Sequence, residues 1–214
     1  YDGLIVIEIP DCSKSLKNGS SMMVWEEHTY YFTNDTLVNF LEKSGFEVKF
    51  SKKWKYGLED SIVVILKQVV PKHIFPNLKI IDKSINLLEN YKSQLNYNKN
   101  LISKKLQEFR QNNGKIVIFG AGHLTITFLS VHELSGIIEF VADDNKDKQG
   151  MYLPYANIPI VASQKILNPE ISLCLLGLNP EHHNAVIKKF VDDPNAPKFA
   201  SIFPETDNYI GDLS

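Results

Sequence analysis

Three groups of residues have the types and spacing to do chemistry. Glu26-Glu27-His28 sets a carboxylate beside an imidazole, within an aromatic run that includes Trp25, Tyr30, Tyr31 and Phe32. A neighbouring carboxylate can hold an imidazole in one tautomer and favour its protonated form, which suits abstraction of a proton. An acidic, aromatic turn carrying an incidental histidine fits the same residues. The second group is Gly120-Ala121-Gly122, which ends the apolar run Lys115–Phe119 and is followed by His123. A buried strand turning tightly into a helix leaves backbone N–H groups and the positive helix end facing the bend, where a phosphate or another anion is welcome. Glycines that merely permit the turn would look alike. The third group, Asp143-Asp144-Asn145 followed by Lys148, closes a second apolar run. A carboxylate there can accept hydrogen bonds from sugar hydroxyls and Lys148 can meet a phosphate, or the segment is simply a polar turn.

These groups need elements to position them. Gly3–Ile9 reads as an apolar strand closed by Pro10 and Asp11, and the Ser-, Lys- and Gly-rich residues 12 to 21 as a mobile surface loop. A helix follows from Asn34 to Ser44, with an apolar face of Leu37, Phe40 and Leu41 and Gly45 at its end. Phe46–Phe50 and Ser61–Leu66 read as an antiparallel pair. Strand, helix and hairpin cannot by themselves make a covered α/β sheet, so residues 1–70 are expected to complete a sheet supplied from upstream or by another chain. Pro71 and Pro76 mark a boundary. Beyond it Ile81, Ile85, Leu88, Leu95, Ile102, Leu106 and Phe109 form a heptad-like stripe, on one long helix or on two broken near Asn96–Asn100. Residues 71–113 are therefore a helical linker. Residues 114–214 alternate strands (115–119, 137–142, 158–161, 171–176, 199–203) with helices, which predicts an α/β domain with a Rossmann-like, doubly wound parallel sheet. Its ligand crevice falls at the carboxyl ends of the strands, where Gly120–Gly122, Asp143-Asp144 and Gly177-Leu178-Asn179 lie.

Composition narrows the classes of function. At 43% hydrophobic and 22% charged residues the chain is an ordinary globular one, and its net charge of -2 gives no electrostatic case for nucleic acid or an anionic membrane. Cys12 and Cys174 stand in unrelated contexts, without a zinc spacing, as in a reducing compartment. With no signal peptide or spanning segment, the reading is cytoplasmic. The chain opens on Tyr1 rather than Met and is expected to be a fragment or a processed form. His73, His123 and His132 lack companions at metal-ligand spacing, and His182-His183 reads as solvated helix surface.

Taken in order, these segments resemble the second half of the C-methyltransferases that act on nucleotide-linked deoxysugars. Gly-Leu-Ile-Val-Ile-Glu-Ile-Pro at 3–10 is similar to the fifth strand of their methyltransferase domain. Trp-Glu-Glu-His-Thr-Tyr-Tyr-Phe-Thr at 25–33 and Lys-Ser-Gly-Phe-Glu-Val at 43–48 are similar to a following run of that family. Asp143 to Pro154 and Ile158–Val161 resemble a segment of its C-terminal domain. The resemblance implies a partial class I methyltransferase sheet ahead of a sugar-nucleotide-binding domain. It implies S-adenosylmethionine as methyl donor to the intact enzyme, with Glu27 and His28 as the active-site pair that removes a proton beside a ketone. Trp25 stands where the family has a tyrosine, and Leu124 and Thr125 where its glycine turn continues with Lys and Gly. The substrate site implied takes in Trp25, Gly120, Ala121, Gly122, His123, Asp143, Asp144 and Lys148. The family's zinc region and donor-binding loop are missing from this chain, so it is expected to be inactive without its N-terminal methyltransferase region. A homo-oligomer is left open. The alternatives are a non-catalytic module for a nucleotide or nucleotide sugar, and an NAD-dependent oxidoreductase. The latter is disfavoured because Thr125 stands near where a third glycine belongs.

Overall fold

The computed structural model describes residues 3–24, 28–56, 59–70 and 77–213. The chain divides into two compact units, Tyr1–Gln94 and Leu95–Ser214.

The first unit is an antiparallel sheet with one helix against it. Strands β1 (Leu4–Asp11), β2 (Phe46–Trp54) and β3 (Asp60–Gln68) lie in the order β1-β3-β2. Leu66 opposes both Ile5 and Val48, and a register shift between Val48 and Phe50 interrupts the β2–β3 ladder. Helix α2 (Asn34–Lys43) begins at a reciprocal cap in which Thr33 accepts from the Thr36 amide and Thr36 answers to the Thr33 amide. It buries Leu37 and Leu41 on Ile62, Val64 and Leu66 of β3, with Ile7 and Ile9 at the margin. An antiparallel sheet tolerates one wetted face, and this one has it: Phe50 and Trp54 are exposed, as are Leu4 and Val6 on the edge strand. Residues 12 to 21 are not a mobile loop. Helix α1 (Ser13–Asn18) and a 3-10 turn at Ser21–Met23 fold there, because Cys12, Leu16 and Met23 form a small buried cluster with Leu87 and Tyr91. The polar composition hid those three anchors.

Helix α3 (Leu78–Asn113) is unbroken through Asn96–Asn100. In its first half the expected stripe faces outward, since Ile81, Ile85 and Leu88 are exposed while Leu87 and Tyr91 make the contacts. In its second half the stripe is buried as expected at Ile102 and Leu106.

The second unit is an α/β fold around a six-stranded mixed sheet. Its strands are β4 (Lys115–Phe119), β5 (Ile138–Ala142), β6 (Tyr152–Leu153), β7 (Ile158–Val161), β8 (Ile171–Leu176) and β9 (Lys198–Ser201), in the order β6-β7-β5-β4-β8-β9. From β7 to β9 every pairing is parallel. The expectation of a wholly parallel sheet is corrected at one edge. β6 pairs antiparallel with β7, because the chain turns back within residues 154–157, too few for a parallel crossover. Tyr155 and Asn157 accommodate that turn at φ 69° and 50°. Helix α4 (His123–His132) follows β4, and a short helix α5 (His183–Lys188) follows a 3-10 turn at Pro180–His182. One core joins Val117, Phe119, Cys174, Leu176, Val186 and Phe190 on one face, and Ile116, Ile118, Leu173 and Leu175 are buried on the other. The second half of α3 is tied on by Ser103, whose hydroxyl donates to the His132 carbonyl at 3.0 Å, and by Lys105, which donates to the Leu213 carbonyl at 2.6 Å.

Candidate functional site

Strand order reverses around β4: β5 lies on one side and β8 on the other, although the chain visits β5 first. At such a point the connections leave in opposite directions and open a crevice outside the carboxyl ends. Gly120 follows β4 at φ +105°, a conformation open to glycine, and a Cβ there would come within 3.3 Å of Leu178. Gly122 caps α4 with an extended backbone, and His123 is the first helical residue.

Asp143 organises this bend. Its Oδ2 accepts the Ala121 amide at 2.7 Å and its Oδ1 the Asn145 amide at 2.8 Å. Lys148 donates to the Ala121 carbonyl at 2.9 Å and lies 3.8 Å from Asp143 Oδ2. Gln149 donates to the Asp143 carbonyl at 2.9 Å. Gly120, Ala121, Asp143 and Lys148 therefore meet in one network, with one amide of the turn already engaged by a carboxylate. The Lys148 side chain stays 41% exposed, against 14% for Asp143. A cation held loosely beside a fixed carboxylate can swing to an incoming phosphate, while the carboxylate remains an acceptor for hydroxyls.

Asp144 points to a different partnership. It pairs with Lys189 and accepts the Ser163 hydroxyl at 2.6 Å. The hydrogen bond from Lys189, then that from Ser163, holds its carboxyl below the usual range. Thr125, in the place where a third glycine was sought, is fully buried. Its hydroxyl donates to the carbonyls of Gly120 and Gly177. A Cβ at Gly177 would lie 2.1 Å from that hydroxyl, so the missing side chain that lets helix and sheet approach belongs to the β8 side. No local spacing pattern announces this exchange. His183 is not solvated surface either: it is buried, its Nε2 lies 2.9 Å from the Leu178 carbonyl, and burial pushes its pKa down.

In the first unit, Trp25 and Glu27 lie outside the described residues, as does His73. His28 lines a cavity of about 210 Å³ with Cys12, Tyr30, Tyr31, Phe32 and Glu59. Its ring meets Tyr31 edge-on at 5.7 Å between centroids. Burial pushes the Cys12 thiol up to about 12, helped by the charges of Asp11 and Glu59, so the thiol remains protonated. Burial also raises Glu59, partly offset by His28. The sequence reading missed Glu59, which stands more than thirty positions from His28. Among the described residues no cluster of three His, Cys, Asp or Glu side chains could hold a metal ion, and no helix is long and apolar enough to cross a membrane.

The second unit is an α/β domain with a polar network at the carboxyl ends of its central strands. The comparison with protein families makes that more specific. The model of the C-methyltransferase C-terminal domain matches residues 79–192, just over half of the chain, and the chain belongs to that family. The match spans α3 from its second residue onward, the glycine turn, Asp143, Lys148 and α5. A search of curated proteins found no match. Family membership carries methyltransferase chemistry in general as the activity to which the domain contributes.

Proposed function

We propose that the chain is the C-terminal portion of an S-adenosylmethionine-dependent C-methyltransferase acting on a nucleotide-linked deoxysugar. In this reading Asp143 and Lys148 belong to the sugar-nucleotide site, and Glu27 and His28 supply the base. The observation that carries this reading is the bend where Gly120, Ala121, Asp143 and Lys148 converge at the reversal of strand order, inside the segment matched to the family. The parallel strands β7-β5-β4-β8-β9 follow the order used by Rossmann-like sheets that bind nucleotides at this end. Asp143 accepts sugar or ribose hydroxyls, Lys148 meets the diphosphate, and Gly122 and His123 line the helix end beside it.

His28, with Glu27 as its sequence neighbour, takes the proton beside the substrate ketone. The C–H bond breaks, an N–H bond forms on the imidazole, and the electron pair moves onto the ketone oxygen as an enolate. Trp25 belongs to the same substrate site by its place in the motif. S-adenosylmethionine supplies an electrophilic methyl group when bound. Among the described residues, however, the first unit has no glycine-rich strand-to-helix turn to hold it. The chemistry assigned to this chain therefore stops at the enolate, and an N-terminal methyltransferase region completes the reaction. The open edge of β1 supports that arrangement, since Leu4, Ile5 and Val6 are exposed at the place where further strands would pair. In this reading the substrate is a small molecule and the setting is the cytoplasm.

Two measurements test the reading. Calorimetric titration should show binding of nucleoside diphosphate sugars and not of NAD; tight NAD binding would replace a methyltransferase with an oxidoreductase. The chain should also catalyse solvent deuterium exchange beside the ketone of a nucleotide-linked keto-deoxyhexose, and His28→Ala should abolish it. Binding without any exchange would leave only a binding module.

A further inference from the structure

The cavity around His28 contains a carboxylate that no local motif announced. β1 and β3 run antiparallel with Asp11 opposite Asp60, so the residue preceding β3, Glu59, emerges at the sheet end where β1 finishes. The segment carrying His28 is fastened over that same end: the Cys12 amide donates to the Phe32 carbonyl at 3.0 Å and the Cys12 thiol donates to it at 2.9 Å. Sheet register and this clasp bring Glu59 and His28 to one cavity, walled by Tyr30, Tyr31 and Phe32. Of the other acids at this end, Asp60 is not among the cavity's lining residues and Asp11 is committed elsewhere. Asp11 is 1% exposed, accepts the Ser13 amide at 3.1 Å and its hydroxyl at 2.5 Å, and pairs with Lys53. Among the described residues lining the cavity, Glu59 is the carboxylate left to face the imidazole.

Resting on the reading of His28 as the base, we infer that Glu59 is its positioning residue, the carboxylate that orients the imidazole and stabilises the imidazolium formed by proton abstraction. The proton moves from the carbon beside the ketone to the imidazole; Glu59 stays ionised and exchanges no proton with the substrate. An imidazole charge on His28 would oppose the upward push of burial on the Glu59 carboxyl. A partly desolvated carboxylate interacts more strongly with a forming cation than a fully hydrated one does.

The experiment follows deuterium exchange by NMR, with thymidine, guanosine and cytidine diphosphate-linked keto-deoxyhexoses as probes and their dissociation constants measured in parallel. Glu59→Gln should slow exchange on the order of 10²-fold, with dissociation constants within about twofold of wild type. Glu59→Asp, which restores the charge, should recover most of the rate. Circular dichroism confirms that both variants are folded. Exchange at the wild-type rate in Glu59→Gln would overturn the role of Glu59 and leave His28 as base. So would weakened binding in Glu59→Gln without rescue by Glu59→Asp, which marks a wall of the cavity rather than a partner of the base. No exchange by the wild-type chain would overturn the base itself.

Discussion

His132 makes the second unit sensitive to mild acid. It is the last residue of α4, 3% exposed, with its ring 4.7 Å from that of Phe128 between centroids. Burial, with a smaller contribution from the Lys99 charge, pushes its pKa down from 6.5 to about 4. A helix C-terminus favours an imidazolium by only about 0.3–1 kcal/mol at ordinary surface sites, so desolvation wins. Because the folded value lies below the unfolded one, the unfolded chain binds more protons between the two. Stability is therefore complete above about pH 6.5 and falls as pH drops toward 4. The full difference corresponds to about 3 kcal/mol, of which about 2 kcal/mol is lost by about pH 5. Amide hydrogen exchange on β4 and β8 reads it directly. Going from about pH 7 to about pH 5, corrected for intrinsic exchange, the wild-type opening free energy should fall by about 2 kcal/mol more than that of His132→Gln. Equal losses in the two proteins would refute the argument, because His183, whose pKa is lowered in the same direction, is common to both.

Two further substitutions test the bend. Gly177→Ala places a Cβ 2.1 Å from the Thr125 hydroxyl and 3.1 Å from Ile118, and should cost about 1–3 kcal/mol in chemical denaturation of the second unit. Thr125→Ala added to it should recover part of that loss, and strictly additive effects would show that the two do not press on each other. Asp143→Asn keeps an acceptor for the Ala121 amide but loses the charge beside Lys148. It should leave the melting temperature within a few degrees while weakening nucleoside diphosphate sugar binding about tenfold by calorimetry, and unchanged affinity would remove Asp143 from the site.

What the sequence could reveal follows from how far apart the interacting residues are. The apolar runs of β4, β5, β7 and β8, the β2–β3 hairpin and the cap and stop of α2 are local patterns, and all can be read by eye. Gly120, Ala121 and Asp143 could be proposed together because a strand order of this kind brings successive strand ends to one mouth. Pairings without a short-range signature stayed hidden. Thr125 looked like a missing glycine because its counterpart, Gly177, lies some fifty residues away. Glu59 carries no local signal, and only the β1–β3 register brings it to the end of β1. The first half of α3 misled for another reason: its isoleucines repeat at helical spacing, yet Leu87 and Tyr91 found the buried cluster first.

The uncovered edge of β1 has a practical meaning for handling the isolated chain. Among the described residues no strand pairs with its outer side, where Leu4, Ile5 and Val6 offer greasy side chains along a row of amides and carbonyls. At high concentration such a row invites a second molecule to zip alongside, so turbidity and stickiness should begin there. Replacing Val6, 66% exposed, with lysine would blunt that tendency without touching the packed side of the sheet.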